Sequence, residues 1–239
     1  MRIVLNRPEV RNAFNDELIA LLASAFANLE RGTRAVVISG QGEAFCAGGD
    51  LEWMRKASSY TQDENRRDAL RLARLFRAIA DCPAVVIARV AGAAFGGGCG
   101  LVAAADIAIA SADAKFAFSE VRLGLIPATI SGFVIPKIGA GHARALFTTG
   151  EAFGAEHAFR IGLVHEVVAR EELDAAVDRK LKLIFSAGPE AIRQAKRLVQ
   201  DHPLSLDEAA RRLADARAGK EGQEGVAAFL EKREPRWRS

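Results

Sequence analysis

Two glycine-rich segments, each placed directly after a short β-branched run, constrain this chain more than anything else in it. Phe45-Cys46-Ala47-Gly48-Gly49-Asp50-Leu51 follows Val36-Val37-Ile38, and Gly92-Ala93-Ala94-Phe95-Gly96-Gly97-Gly98-Cys99-Gly100 follows Val85-Val86-Ile87. Each also precedes a stretch able to start a helix. Runs of this kind read as buried strands, and glycine lets the backbone after them turn tightly and approach a ligand closely. Two strand–loop–helix units of this type predict an α/β layer fold in which two loops aim backbone N–H groups at one point. Such a pair stabilises charge on a carbonyl oxygen, as in a thioester enolate.

The glycines do not spell a nucleotide site. There is no G-x-x-x-x-G-K-[ST], and Gly92…Gly96-Gly97-Gly98 does not fit G-x-G-x-x-G. The net charge is +3, and the 25 arginines are spread along the chain, so no basic stripe for nucleic acid is read. Cys46, Cys82 and Cys99 are odd in number and irregular in spacing, which suits a reducing compartment and small buried fillers better than a disulfide framework. The most apolar stretch, residues 90–105, is too short and glycine-rich to span a bilayer. No signal-peptide pattern is read at the start, and a cytoplasmic setting is the expectation. His142, His157, His165 and His202 lie at no metal-ligand spacing, so no metal is expected.

Strands are read at 3–5, 35–39, 84–88, 106–110 and 115–118. Asn15 or Asp16 caps a helix to about residue 31, with Leu18, Leu21, Leu22, Phe26 and Leu29 on one face. Residues 41–50 read as loop, 51–56 as a short helix, 58–65 as a polar mobile stretch, and 68–80 as a helix with Leu72, Leu75, Phe76 and Ile79 at helical spacing. Another helix follows the glycine run. After residue 130 the pattern is mostly helical: 130–138, 142–148, 155–161, 171–186, 189–201, 206–218 and 221–232. The expected division is a core over 1–185 and a helical C-terminal region over 186–239, whose apolar stripes suit cover by a neighbouring subunit or by the active-site cleft.

Six segments in register carry a family resemblance. They are Asn6-Arg7-Pro8-Glu9-Val10-Arg11-Asn12-Ala13; Phe45 to Leu51; Phe95-Gly96-Gly97-Gly98; Ala105-Asp106-Ile107; Phe118-Ser119-Glu120-Val121-Arg122-Leu123-Gly124-Leu125-Ile126-Pro127; and Ala158-Phe159-Arg160-Ile161-Gly162-Leu163-Val164. Together they resemble the enoyl-CoA hydratase/isomerase (crotonase) superfamily across nearly the whole chain. The resemblance implies an α/β crotonase-like spiral of ββα units with a helical C-terminal region. It implies homotrimers that pair into homohexamers, an acyl-CoA thioester as substrate, and no cofactor beyond the CoA that arrives with it. It makes Ala47 and Gly97 the oxyanion-hole donors, and gives Gly48, Gly49, Asp50 and Leu51 the lining of the thioester and pantetheine. Arg11 and Ala13 match a segment near the CoA nucleotide, and Trp53 and Met54 lead into the acyl pocket or the core. Glu120 matches the catalytic acid/base; beside Phe116 and Phe118, desolvation would raise its pKa toward a useful value.

Two departures matter. Typical two-carboxylate hydratases carry a second Glu shortly after the glycine run, where this chain has Gly100. Gly98-Cys99-Gly100-Leu101 and Ser119 to Ser131 resemble the bacterial methylglutaconyl-CoA hydratase-like branch, whose members also have Gly there and whose acyl groups are branched. Arg55 and Arg122 are the nearby arginines for a carboxylate on such a group. Asp50, Asp106 and Glu151 are the nameable second acids. Family members also usually have a strand ahead of the Asn-Arg-Pro segment, and the chain begins with the strand next to it. The expected activity is hydration of a 2-enoyl-CoA with Glu120 as single acid/base. The alternatives are a Δ3-Δ2 enoyl-CoA isomerase, and an acyl-CoA- or RNA-binding protein with little turnover.

Overall fold

A computed structural model describes residues 1–238. The strand–loop–helix pattern repeats three times. Strand β2 (Ala35–Gly40) is followed by β3 (Ala44–Cys46) and the helices α2 (Leu51–Ala57) and α3 (Gln62–Ala80). Strand β4 (Val85–Val90) is followed by β5 (Ala93–Phe95) and α4 (Gly97–Ala104). Strand β6 (Ile107–Ser111) is followed by β7 (Lys115–Ala117), a 3-10 turn over Ser119–Leu123, and α5 (Ala128–Thr149). The first strand of each unit joins one parallel sheet and the second joins another. With β1 (Arg2–Leu5) and β9 (Glu166–Val168) the first sheet has the order β1-β2-β4-β6-β9. With β8 (Ala152–Gly154), which α6 (Ala155–Arg160) follows, the second has the order β3-β5-β7-β8, in which β8 alone runs antiparallel. This is a ββα spiral.

The β-branched runs are buried on both faces, as strands of a parallel sheet must be when helices cover it. Side chains alternate: Val36, Ile38, Val86 and Ala88 pack toward α3 and α1 (Asp16–Ala27), while Val37, Val85, Ile87 and Ile109 pack on Leu173, Ala176 and Val177 of α7 (Leu173–Ser186). Asn15 caps α1 by accepting from the Leu18 N–H. The buried face of α1 is Leu18, Ile19, Leu22 and Phe26; Leu21, expected there, is exposed. One turn of 3.6-residue drift is enough to exchange neighbouring positions at a stripe's edge.

Several short elements differ from the sequence reading. The segment 41–50 contains β3, and β5, β8 and β9 are likewise strands of three residues, too short to show a period of two. The polar stretch 58–65 contains the start of α3, set by a capping box between Thr61 and Glu64. The two helices expected at 130–148 form one span broken at Gly139, whose φ of 75° is left-handed. Beyond α7 lie α8 (Pro189–Gln200), α9 (Leu206–Ala218) and α10 (Lys220–Leu230). Neither α8 nor α9 has a buried residue, and α10 has Ala228 alone. No helix among the described residues is long and apolar enough to cross a membrane.

Candidate active site

The two glycine-rich segments meet. A Cβ placed on Gly48 would lie 3.0 Å from the Phe95 carbonyl oxygen and 3.8 Å from the Gly97 nitrogen. One on Gly98 would lie 2.2 Å from the Cys46 carbonyl oxygen. Only glycine lets the loops come this close, and Gly48 also has a left-handed φ of 92°.

The segment 11–14 splints the first loop. The Ala47 N–H donates to the Arg11 carbonyl at 3.0 Å, the Phe14 N–H to the Gly48 carbonyl at 2.7 Å, and the Asp50 N–H to the Phe14 carbonyl at 2.9 Å. These bonds correct one expectation: the Ala47 N–H is already spent inside the fold. The Gly49 N–H, two residues on, has no acceptor among the described residues. In the second segment, Gly97 is the first residue of α4, so its N–H has no intrahelical partner. Residues 98–104 of that helix are all buried. At its far end the Lys137 ammonium donates to the Ala105 and Val102 carbonyls at 2.6 and 3.4 Å, a cation on the helix C-terminus. Burial pushes that ammonium down to about 8.

Glu120 joins them. A Cβ on Gly96, the residue before the Gly97 N–H, would lie 3.2 Å from Glu120 Oε1. Glu120 Oε2 is buried with no hydrogen-bond partner. Burial raises the carboxyl above the ordinary glutamate value, against a smaller opposing pull from its own backbone N–H. A carboxyl with an unpartnered oxygen, beside the residue that leads into the Gly97 N–H, is equipped to hold and move a proton.

No second acid stands beside it among the described residues. A Cβ on Gly100 would lie 2.4 Å from Ile130 Cγ2 and 2.7 Å from Phe76 Cζ, so apolar side chains fill that space. Asp50 caps α2 through the Glu52 N–H at 2.8 Å and pairs with Arg7 at 2.8 Å. Its burial works to raise its pKa, but Arg7 and the cap outweigh that and hold it below the usual range. Asp106 accepts from the Val86 N–H and from Lys196, each at 2.7 Å, and Glu151 is exposed.

The remaining candidates fall as follows. Ala13 is buried and offers its carbonyl to Arg7 at 2.6 Å; Arg11 is exposed with a left-handed φ of 54°. Leu51 opens α2 at 80% exposure. Trp53 and Met54 both come within 3.5 Å of a Cβ on Gly49, so they pack against that residue of the loop. Arg55 is exposed beside Glu52, and Arg122 donates to the Gly150 carbonyl at 2.9 Å. Cys46 and Cys99 are buried; burial raises both thiols, that of Cys46 to about 12, which makes them inert fillers. Among the described residues no group of three or more His, Cys, Asp or Glu is placed to hold a metal. Sequence reasoning missed the roles of Arg7, Asn12 and Phe14. The first two stand in the Asn-Arg-Pro segment, but nothing in the sequence ties them to a loop some forty residues on.

Comparison with known proteins identifies the family and the fold. The enoyl-CoA hydratase/isomerase family model matches residues 1–239. A crotonyl-CoA hydratase of Syntrophomonas wolfei is 35% identical, over 97% of this chain and 91% of its own. The 1,2-epoxyphenylacetyl-CoA isomerase of Escherichia coli is 35% identical, over 99% and 94%. The structure of Pseudomonas aeruginosa AtuE superposes with a TM-score of 0.95 at 36% identity, covering 100% of this chain and 95% of that one. With the ββα spiral, the paired glycine loops and the matching family model, the chain belongs to the enoyl-CoA hydratase/isomerase, or crotonase, superfamily.

Proposed function

We propose that this protein adds water across the double bond of a 2-enoyl-CoA, giving a 3-hydroxyacyl-CoA. The observation that carries the reading is Glu120: a half-buried carboxyl, raised by desolvation, with one oxygen unpartnered beside Gly96 and Gly97. The thioester oxygen accepts from the N–H groups of Gly49 and Gly97. Gly49 takes the role the resemblance assigned to Ala47, because the Ala47 N–H is bonded to Arg11. Charge grows on the thioester oxygen as water attacks Cβ, so both donors bind the transition state better than the substrate. The α4 N-terminus adds its positive dipole end to the Gly97 donor. Glu120 takes a proton from the attacking water and returns one to Cα, so one carboxyl serves both steps. The hydroxyl ends on Cβ and the proton on Cα.

The likeness of residues 98–101 and 119–131 to the methylglutaconyl branch supports a branched acyl group, with Trp53 and Met54 beside the thioester. The exposed Leu206, Phe229 and Leu230 support assembly of several copies, as trimers or hexamers. Three free buried thiols suit the reducing cytoplasm.

The filled space at Gly100 favours one other reading, a Δ3-Δ2 isomerase, because a single carboxyl suffices to carry a proton between Cα and Cγ. Mass spectrometry separates the two. The protein is given 2-enoyl-CoAs and 3-enoyl-CoAs, including 3-methylglutaconyl-CoA, in heavy-oxygen water. Incorporation of the heavy oxygen is expected. A moved double bond without it establishes the isomerase, and no product from any bound ester contradicts both.

A further inference from the structure

Arg7 takes no part in the chemistry above, yet it heads an unbroken line of hydrogen bonds that ends at Gly49. Its Nη1 donates to the Ala13 carbonyl at 2.6 Å. That carbonyl and the Phe14 N–H are opposite ends of one planar trans peptide, so they point in opposite directions. The Phe14 N–H donates to the Gly48 carbonyl at 2.7 Å. The Gly48 carbonyl and the Gly49 N–H are again opposite ends of one peptide. The Gly49 N–H therefore leaves on the side away from Phe14, where no protein acceptor meets it among the described residues. The line runs from guanidinium, through peptide 13–14 and peptide 48–49, to an open donor.

The head of the line is fixed. Arg7 Nη2 donates to Asp50 Oδ2 at 2.8 Å, so one rigid planar group holds both the splint and the far side of the loop. The Arg7 N–H donates to Asn12 Oδ1 at 2.9 Å, and the Asn12 N–H returns to the Arg7 carbonyl at 2.8 Å. Asn12 is fully buried, and its Nδ2 donates to the carbonyls of Gln41 and Ala44 at 2.9 and 2.8 Å. This clamp explains why Arg11 and Asn12 both sit in the left-handed region, at φ 54° and 57°: the tight turn brings the Ala13 carbonyl back onto its own Arg7.

We propose that Arg7 is a positioning residue for the reaction: through peptides 13–14 and 48–49 it aims the Gly49 N–H and polarises it toward the thioester oxygen. This rests on the oxyanion-hole reading above. Linked hydrogen bonds strengthen one another, and a cation at one end pulls electron density along the whole line. A brace without this function would alter stability and leave the polarisation of a bound carbonyl untouched.

The test uses crotonyl-CoA labelled with 13C at the thioester carbonyl, bound to the full-length protein in a Glu120→Gln background that leaves the ester unconverted. Isotope-edited infrared spectroscopy reads the carbonyl frequency, and kcat and KM are measured with Glu120 intact. With Arg7 present the carbonyl frequency falls on binding. Arg7→Gln should lose much of that fall and lower kcat about tenfold, the effect of one weakened hydrogen bond, with KM unchanged. Arg7→Lys, which keeps the charge and loses the fork, should be intermediate in both. If Arg7→Gln does not fold, Arg7→Lys decides alone, because frequency and kcat must move together. An unchanged frequency in a folded Arg7 variant overturns the proposal. No fall with Arg7 in place would instead refute the oxyanion-hole reading on which it rests.

Discussion

The loop at 46–50 and the loop at 95–98 each present an open glycine N–H, at Gly49 and Gly97, but they do so by different means. Gly97 owes its free donor to being the first residue of a helix whose residues 98–104 are all buried. Any helix start has such donors, and here the core holds it still. Gly49 lies in an irregular loop followed by α2, which has no buried residue. Its direction is set by individual hydrogen bonds from residues 11–14 and by the Arg7–Asp50 pair. One half of the site is rigid because it belongs to a core helix; the other is rigid because a separate segment splints it. The second kind of support is vulnerable to single substitutions far away in sequence, whereas the first is vulnerable mainly to packing changes.

The largest expected effect removes what both halves serve. Glu120→Gln should lower turnover by about 10²–10⁴-fold while leaving CoA-ester binding intact, measured by steady-state kinetics and calorimetry. Next comes forcing the halves apart. Gly98→Ala puts a Cβ 2.2 Å from the Cys46 carbonyl oxygen. Backbone must shift there, and kcat should fall about 100-fold, the loss of one well-placed donor. Gly100→Glu tests the rigid half alone. Its Cβ meets Ile130 and Phe76, so denaturant melts should show a loss of about 1–3 kcal/mol or more, with no gain in hydration. A gain would mean that the helix side yields as readily as the loop.

The smallest effect is in stability against pH. Glu120 has a folded-state pKa raised by burial, so the folded protein holds its proton more tightly than the unfolded chain. Below the ordinary glutamate value both states are protonated and Glu120 costs nothing. As pH rises through that value the unfolded chain ionises first, and stability is lost until the raised value is passed. Glu120→Gln should therefore melt a little higher than the parent at neutral pH, with the difference vanishing in acid. Equal melting at neutral pH would mean that the carboxyl is solvated.

Much of this was legible in the sequence because it is local. The β-branched runs, the glycine loops after them, Glu120 and the absence of a carboxyl at Gly100 are properties of short segments. Of the second sheet only β7 was read; β3, β5 and β8 were illegible because three residues carry no period. Naming Ala47 as a donor failed for a different reason. Which N–H of the loop is free depends on a splint from residues 11–14, and pairing across more than thirty residues leaves no trace in either segment. Leu21 failed on a smaller scale, one position off the buried face of α1.

The most direct measurement replaces single backbone amides by esters, removing one N–H at a time without touching a side chain. An ester at residue 49 should reduce kcat by about 10²–10³-fold and leave the melting temperature nearly unchanged, because that N–H serves the thioester oxygen. An ester at residue 47 should lower stability, because that N–H serves Arg11, with the activity of the folded protein largely kept. Loss of activity from the ester at 47, with the ester at 49 harmless, would contradict the account.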